Sequence, residues 1–150
     1  DQNKLDDALT YLYKSQDLML KNYGEDYPTL AICYCNIGHC KLRLGKYEDA
    51  LEILNKHENR LETLGETHQE IGKIYAFLAK GYAMAKNFQE SSSCVEKVLK
   101  IYTSLFGEGN GHIASVYGSL GHIYEQHENF ELSLTNYETR NFEEAETNEK

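Results

Sequence analysis

A single proline, Pro28, interrupts 150 residues, so long helices meet almost no breaker. No apolar run approaches the ~18 residues that a bilayer-spanning helix needs, and no membrane association is expected. Cations are scarce: Lys+Arg number 15 against 24 Asp+Glu, a net charge of -9. Such a balance argues against a nucleic-acid partner. Initiator methionine and signal-like segment are both missing, and the expectation is a piece of a larger chain or complex. The 41% hydrophobic and 26% charged composition excludes intrinsic disorder. One ordinary domain or one short repeat array fits this size.

Four cysteines are present, and Cys33, Cys35 and Cys40 fall in one helix-patterned segment. Cys33 and Cys35, at i and i+2, point to nearly opposite helix faces and cannot bridge. The expectation is a reduced intracellular protein, cytoplasmic or cytoskeleton-associated.

Self-similarity decides the architecture. Lys4-Leu5-Asp6-Asp7-Ala8-Leu9 sits 42 residues before Lys46-Tyr47-Glu48-Asp49-Ala50-Leu51. The segments beginning at Lys86-Asn87-Phe88 and Glu128-Asn129-Phe130 continue the same spacing. Gly24-Glu25, Gly65-Glu66 and Gly107-Glu108 keep the period independently, as do Tyr34, Tyr75 and Tyr117. Each unit carries two amphipathic helical stripes, joined by turns as short as Leu44-Gly45-Lys46 and Ala85-Lys86-Asn87, which force antiparallel packing.

The pattern predicts seven helices in a single array over 1–150. A lone second helix spans 4–22, and pairs follow over 28–44/47–63, 68–85/88–105 and 111–127/130–148. The corresponding repeats cover about 28–64, 68–106 and 111–148. Pro28 suits a first helical turn, Gly65 and Gly107 suit C-terminal caps, and Thr67 with Glu70 has capping-box spacing. Gly38, Ala79 and Gly121 share one register, and Ala8, Ala50, Ser91 and Ser133 share another. Small residues at both registers let paired helices approach closely. Asn141-Phe142-Glu143-Glu144-Ala145 looks like another repeat start, and the tail after Tyr137 reads as a solvated helix or a fraying end.

These residues resemble the tetratricopeptide repeat, in the 42-residue form of kinesin light chain and its relatives. Gly38, Gly45-Lys46-Tyr47-Glu48-Asp49-Ala50 and Leu64-Gly65-Glu66-Thr67-His68 match that pattern. Gly24-Glu25-Asp26-Tyr27-Pro28 is similar to the group's linker. Ser91 and Ser133 depart from the usual Ala, and Lys86 and Glu128 from the turn Gly. The third linker, Gly107-Glu108-Gly109-Asn110-Gly111, lacks proline and reads as looser. The resemblance implies an all-α fold: a right-handed superhelical α-solenoid of stacked antiparallel helix pairs.

No catalytic constellation is expected, nor a cofactor, and the chain reads as non-enzymatic. Cys35 and His39, at i and i+4, supply half a metal site at most, and no complementary pair follows. Gly107-x-Gly109-x-Gly111 lacks the spacing of a phosphate loop and the Lys-Ser/Thr that would follow.

In a superhelix of this kind the first helices line the concave side. The expected inner face comprises Ile32, Cys35, Asn36, His39 and Arg43, then Lys73, Ala76, Phe77, Lys80 and Met84, then Ser115, Gly118, Ser119, His122 and Gln126. Peptide-binding relatives use such positions, and the resemblance gives Asn36 the role of holding a peptide backbone. Nine residues form the expected partner site: Asn36, His39, Arg43, Lys73, Phe77, Lys80, Met84, Ser119 and His122. Its cations, set within an acidic chain, point to an acidic-hydrophobic peptide. A dicarboxylate clamp is disfavoured because Asn36 is matched by Phe77 and Ser119 in the other units. Two functions follow: a scaffold or adaptor that binds a protein partner's peptide segment, or a structural segment of a cytoskeletal or ciliary assembly without independent peptide binding.

Overall fold

The computed structural model describes residues 1–61 and 69–148, with side chains at all of these except 59–61. Among the described residues there are seven α-helices and no strand: α1 Gln2–Tyr23, α2 Thr29–Arg43, α3 Tyr47–Leu61, α4 Gln69–Met84, α5 Phe88–Phe106, α6 Gly111–Gln126 and α7 Phe130–Asn148. Helices α2/α3, α4/α5 and α6/α7 form antiparallel pairs. The first helices α2, α4 and α6 lie side by side, and each second helix also touches the first helix of the following unit. The result is the expected α-solenoid of stacked helix pairs.

Each hairpin turn closes the same way. The amide of Lys46 donates to the Lys41 carbonyl at 2.9 Å, that of Asn87 to Tyr82 at 2.8 Å, and that of Asn129 to Tyr124 at 2.9 Å. These bonds satisfy otherwise orphaned carbonyls and require a left-handed residue just before them. Gly45 supplies it at φ 75° in the first turn, whereas Lys86 (φ 61°) and Glu128 (φ 58°) adopt it in the next two. Asn87 and Asn129 then cap α5 and α7, their side-chain oxygens accepting from the amides of Glu90 and Leu132.

The small-residue registers do the work expected of them. A Cβ added at Gly38 would sit 2.7 Å from the Leu54 side chain, and one at Gly121 would sit 2.9 Å from the Tyr137 ring. Ala50, Ala79 and Ser91 are fully buried. Ser91 adds what alanine cannot: its hydroxyl donates to the Ala79 carbonyl at 2.8 Å and lies 3.4 Å from the Tyr124 hydroxyl. A bond within one unit and one to the next thus meet at a single buried atom. Phe88 extends the same joint, its ring edge-on to Tyr124 at 5.2 Å. The apolar seam runs without a break from Cys35 and Leu54 to Ile123 and Tyr124.

The third linker is tied rather than loose. The Asn110 amide nitrogen donates to the Gly107 carbonyl at 2.7 Å, its oxygen accepts from the Ile113 amide at 3.1 Å, and Thr147 Oγ1 donates to the Gly109 carbonyl at 2.6 Å. That last bond ties down the end of α7, which continues unbroken through the repeat-like segment at 141–145. Gly107 caps α5 at φ 81°, and Pro28 occupies the α-helical entrance to α2. The Gly65 cap, the Leu64–His68 marker and the Thr67 capping box fall outside the described residues.

Candidate functional site

Across α2 and α4, three of the expected partner-site residues meet around one aromatic ring. Phe77, one turn before Lys80 on α4, stacks on the His39 imidazole of α2 with centroids 4.6 Å apart and planes 11° from parallel. Lys80 Nζ lies 5.5 Å from the same ring, so the ring's negative face meets a cation. All three side chains are half-buried, while Asn36 and Arg43 stand exposed on either side of His39 along α2.

Burial sets the protonation of this cluster. It lowers the Lys80 ammonium below its ordinary range. It lowers His39 too, and the charges of Lys80 and then Arg43 push the imidazole further the same way. His39 is thereby held as a neutral hydrogen-bonding group at pH 7. The formal positive charge of the patch rests on Lys80 and Arg43.

The other expected residues divide. Met84 is half-buried against the core at the end of α4. Lys73 is engaged by Glu70, one turn earlier, at 2.8 Å, and it does not extend the positive stripe. On α6, Ser119 donates back to the Ser115 carbonyl at 2.9 Å, and the exposed His122 lies 3.2 Å from Gln126 and 3.9 Å from Glu125. Glu125 in turn accepts from the Tyr137 hydroxyl at 3.1 Å. His39, Phe77 and Lys80 are therefore brought into mutual contact, whereas Ser119 and His122 make their recorded contacts on α6 alone.

Three residues assigned to the inner face from helical angle lie elsewhere. Cys35 and Ala76 are buried in the seam at 1% and 7% exposure. Gly118 faces α7, with the Arg140 side chain 3.0 Å from its Cβ position. Glu70 was the residue missed, although an acid three positions before a lysine is a readable helical pair. Catalytic chemistry finds little purchase in the thiols. Burial pushes Cys35 up to about 12 and Cys94 up to about 11, far from the thiolate that a nucleophile needs. No cluster of three His, Cys, Asp or Glu that could hold a metal occurs among the described residues, and no described helix is long and apolar enough to cross a membrane.

Comparison with known proteins agrees with the repeat fold. A family model described as the tetratricopeptide repeat matches residues 1–63 and 70–140. Curated relatives include a clustered mitochondria protein homologue of Caenorhabditis briggsae, 25% identical over 86% of this chain, and one of Candida albicans, 31% identical over 57% of it. The chain spans about a tenth of the length of the first relative and 6% of the second. Among solved structures, BtubC (BKLC) from P. vanneervenii superposes on 97% of the chain with a TM-score of 0.76 at 17% identity. Kinesin light chain-type TPR-like repeats from Podosopora anserina superpose on 92% with 0.73 at 16% identity. The chain covers 59% and 66% of those two structures, and the likeness is one of fold.

Proposed function

The chain belongs to the tetratricopeptide repeat family, and on that premise we propose that it is a scaffold that holds an acidic-hydrophobic peptide segment of a protein partner on its concave face. Repeats of this family generally mediate protein–protein interaction. The observation that carries the finer reading is the Phe77 cluster, with His39 stacked on its ring and Lys80 above it. The part of the Phe77 ring left open beside His39 and Lys80 would offer an apolar side chain a contact, and Lys80 together with Arg43, one turn from His39, would offer a neighbouring carboxylate two cations. Neutral His39 and exposed Asn36 add donors and acceptors for a peptide backbone. The chain's net charge of -9 disfavours acidic peptides in general, so a patch with two cations would confer selectivity rather than general stickiness. In this reading the chain is no enzyme, needs no cofactor, binds neither nucleic acid nor membrane, and works in a reduced cytoplasmic or cytoskeletal setting within a larger protein. The four free cysteines, three of them buried, support that setting.

Titration with a blocked decapeptide of alternating glutamate and leucine tests the reading. Lys80→Gln is expected to weaken binding by roughly five- to tenfold, about 1–1.4 kcal/mol. Lys73→Gln, already engaged by Glu70, is expected to change it less than about twofold. Equal losses, or none, would remove the Phe77 cluster as the site.

A second reading is favoured by one observation. Phe130 on α7 is 66% exposed, although Phe88 at the same register packs on Tyr124 of the following helix. Leu134, one turn on, is 60% exposed. A structural segment of a larger assembly would use such a face. It would show no affinity for the peptide.

A further inference from the structure

A hollow of about 500 Å³ lies on the other layer of the solenoid, between α5, the linker at 107–110 and α7. Leu99, Ile113 and Phe142 give it apolar walls, and Glu108, Glu143 and Glu146 give it three carboxyl groups, with no lysine or arginine among its lining residues. Glu143 as a whole is half-buried, and one of its carboxylate oxygens, Oε2, is shielded without a hydrogen-bond partner. Phe142 is 63% exposed. Arg140, the one cation of α7, is committed elsewhere: its Nη2 donates to Asn141 Oδ1 at 2.8 Å, its Nε lies 3.7 Å from Glu144, and its methylenes lie on Gly118. The bonds from Thr147 to Gly109 and from Asn110 to Gly107 pin the linker that forms one wall.

A buried acceptor left without a donor is costly in a low-dielectric setting, most of all on a carboxylate. A guest that brings several N–H donors at the end of an apolar stem would relieve that cost while keeping the walls dry. An arginine side chain has this form. Its methylenes suit Leu99 and Ile113, its planar guanidinium stacks on an aromatic face, and its five donors reach more than one carboxylate. A lysine, with three donors around a point charge, satisfies only part of this set.

We propose that the hollow between α5 and α7 is a second docking site, and that it takes an arginine-bearing segment of a protein partner. Its sign is opposite to that of the Phe77 cluster and it lies on the other helical layer. The two sites would bind partners of opposite charge at once, which makes the chain a bridge rather than a single receptor.

The test is titration of the full chain with a blocked hexapeptide of alternating arginine and leucine. Saturable one-site binding is expected, weakened roughly tenfold or more in Glu143→Gln/Glu146→Gln. Glu48→Gln/Glu52→Gln makes the same charge change on exposed positions of α3 and is expected to leave affinity within about twofold, a limit set by bulk electrostatics. Phe142→Ala, which alters an exposed ring and leaves the charge intact, is expected to weaken binding severalfold, and it carries the test if the double variant loses its fold. A lysine–leucine hexapeptide should bind more weakly than the arginine form. Equal loss in both glutamate doubles, no effect of Phe142→Ala, or no saturation would overturn the proposal. Lys80→Gln leaves this binding unchanged, and Glu143→Gln/Glu146→Gln leaves the glutamate–leucine peptide bound, so failure of one site is distinguishable from failure of the other.

Discussion

His39 shows how much a single side chain can be decided by its neighbours. Its ring shares a face with Phe77, and burial, Lys80 and Arg43 all disfavour its protonated form. The folded value therefore lies below the ordinary 6.5, and the unfolded chain binds the proton more readily. By linkage, the stability that depends on neutral His39 is complete above about pH 6.5 and is lost as pH falls below it. Melting of the wild type is expected to drop more steeply between pH 7.5 and 5.5 than that of His39→Phe, which keeps the stack and cannot titrate. Parallel pH profiles by calorimetry would contradict this. Ser91 is instructive in another way. It stands at the register that Ala50 fills in the preceding unit, and its small size was legible from the repeat register. Its hydroxyl bonds were not: the one to Ala79 depends on how closely the paired helix approaches, and the one to Tyr124 on a helix in the following unit.

Helices and their turns were the most readable level. The single proline, the alternation of stripes and the short turns place the described helix ends, apart from the two that border residues 62–68, within two residues of the expected bounds. The turns also carry a measurable flaw. Lys86 and Glu128 hold the left-handed conformation that Gly45 holds freely, and a side chain there costs roughly 1–2 kcal/mol. Lys86→Gly and Glu128→Gly are each expected to stabilise the chain by about 0.5–1 kcal/mol after the entropy lost by freeing the unfolded backbone. Chemical denaturation would register the gain as a higher midpoint at unchanged slope. Destabilisation would mean that these side chains make contacts that outweigh the strain. What helical angle could not supply was the width of the free face. In a stacked array, α4 is covered by α2, α3, α5 and α6 together. Cys35 and Ala76, assigned to the inner face from helical angle, are consequently buried in the seam. The concave stripe that remains is narrower than one isolated helix suggests. Within it, the Glu70–Lys73 pair removes a cation that residue counting had included.

On the scale of the whole molecule, a repeat solves a burial problem by extension. No helix pair hides its own apolar stripe, so each unit completes the next, through joints such as Ser91–Tyr124 and Phe88–Tyr124. Extension also separates surfaces. First helices present the Phe77 cluster with Lys80, and second helices present the carboxylates at 143 and 146. An interaction module emerges from packing necessity together with a few charges left where packing did not need them.

The most direct measurement is a backbone amide NMR titration of the labelled chain with the glutamate–leucine decapeptide. Saturable shifts confined to Asn36, His39, Arg43, Phe77 and Lys80 are the predicted result. Shifts centred on α3, α5 or α7, or a spectrum that does not change at saturating peptide, would contradict the concave face as the partner-binding surface.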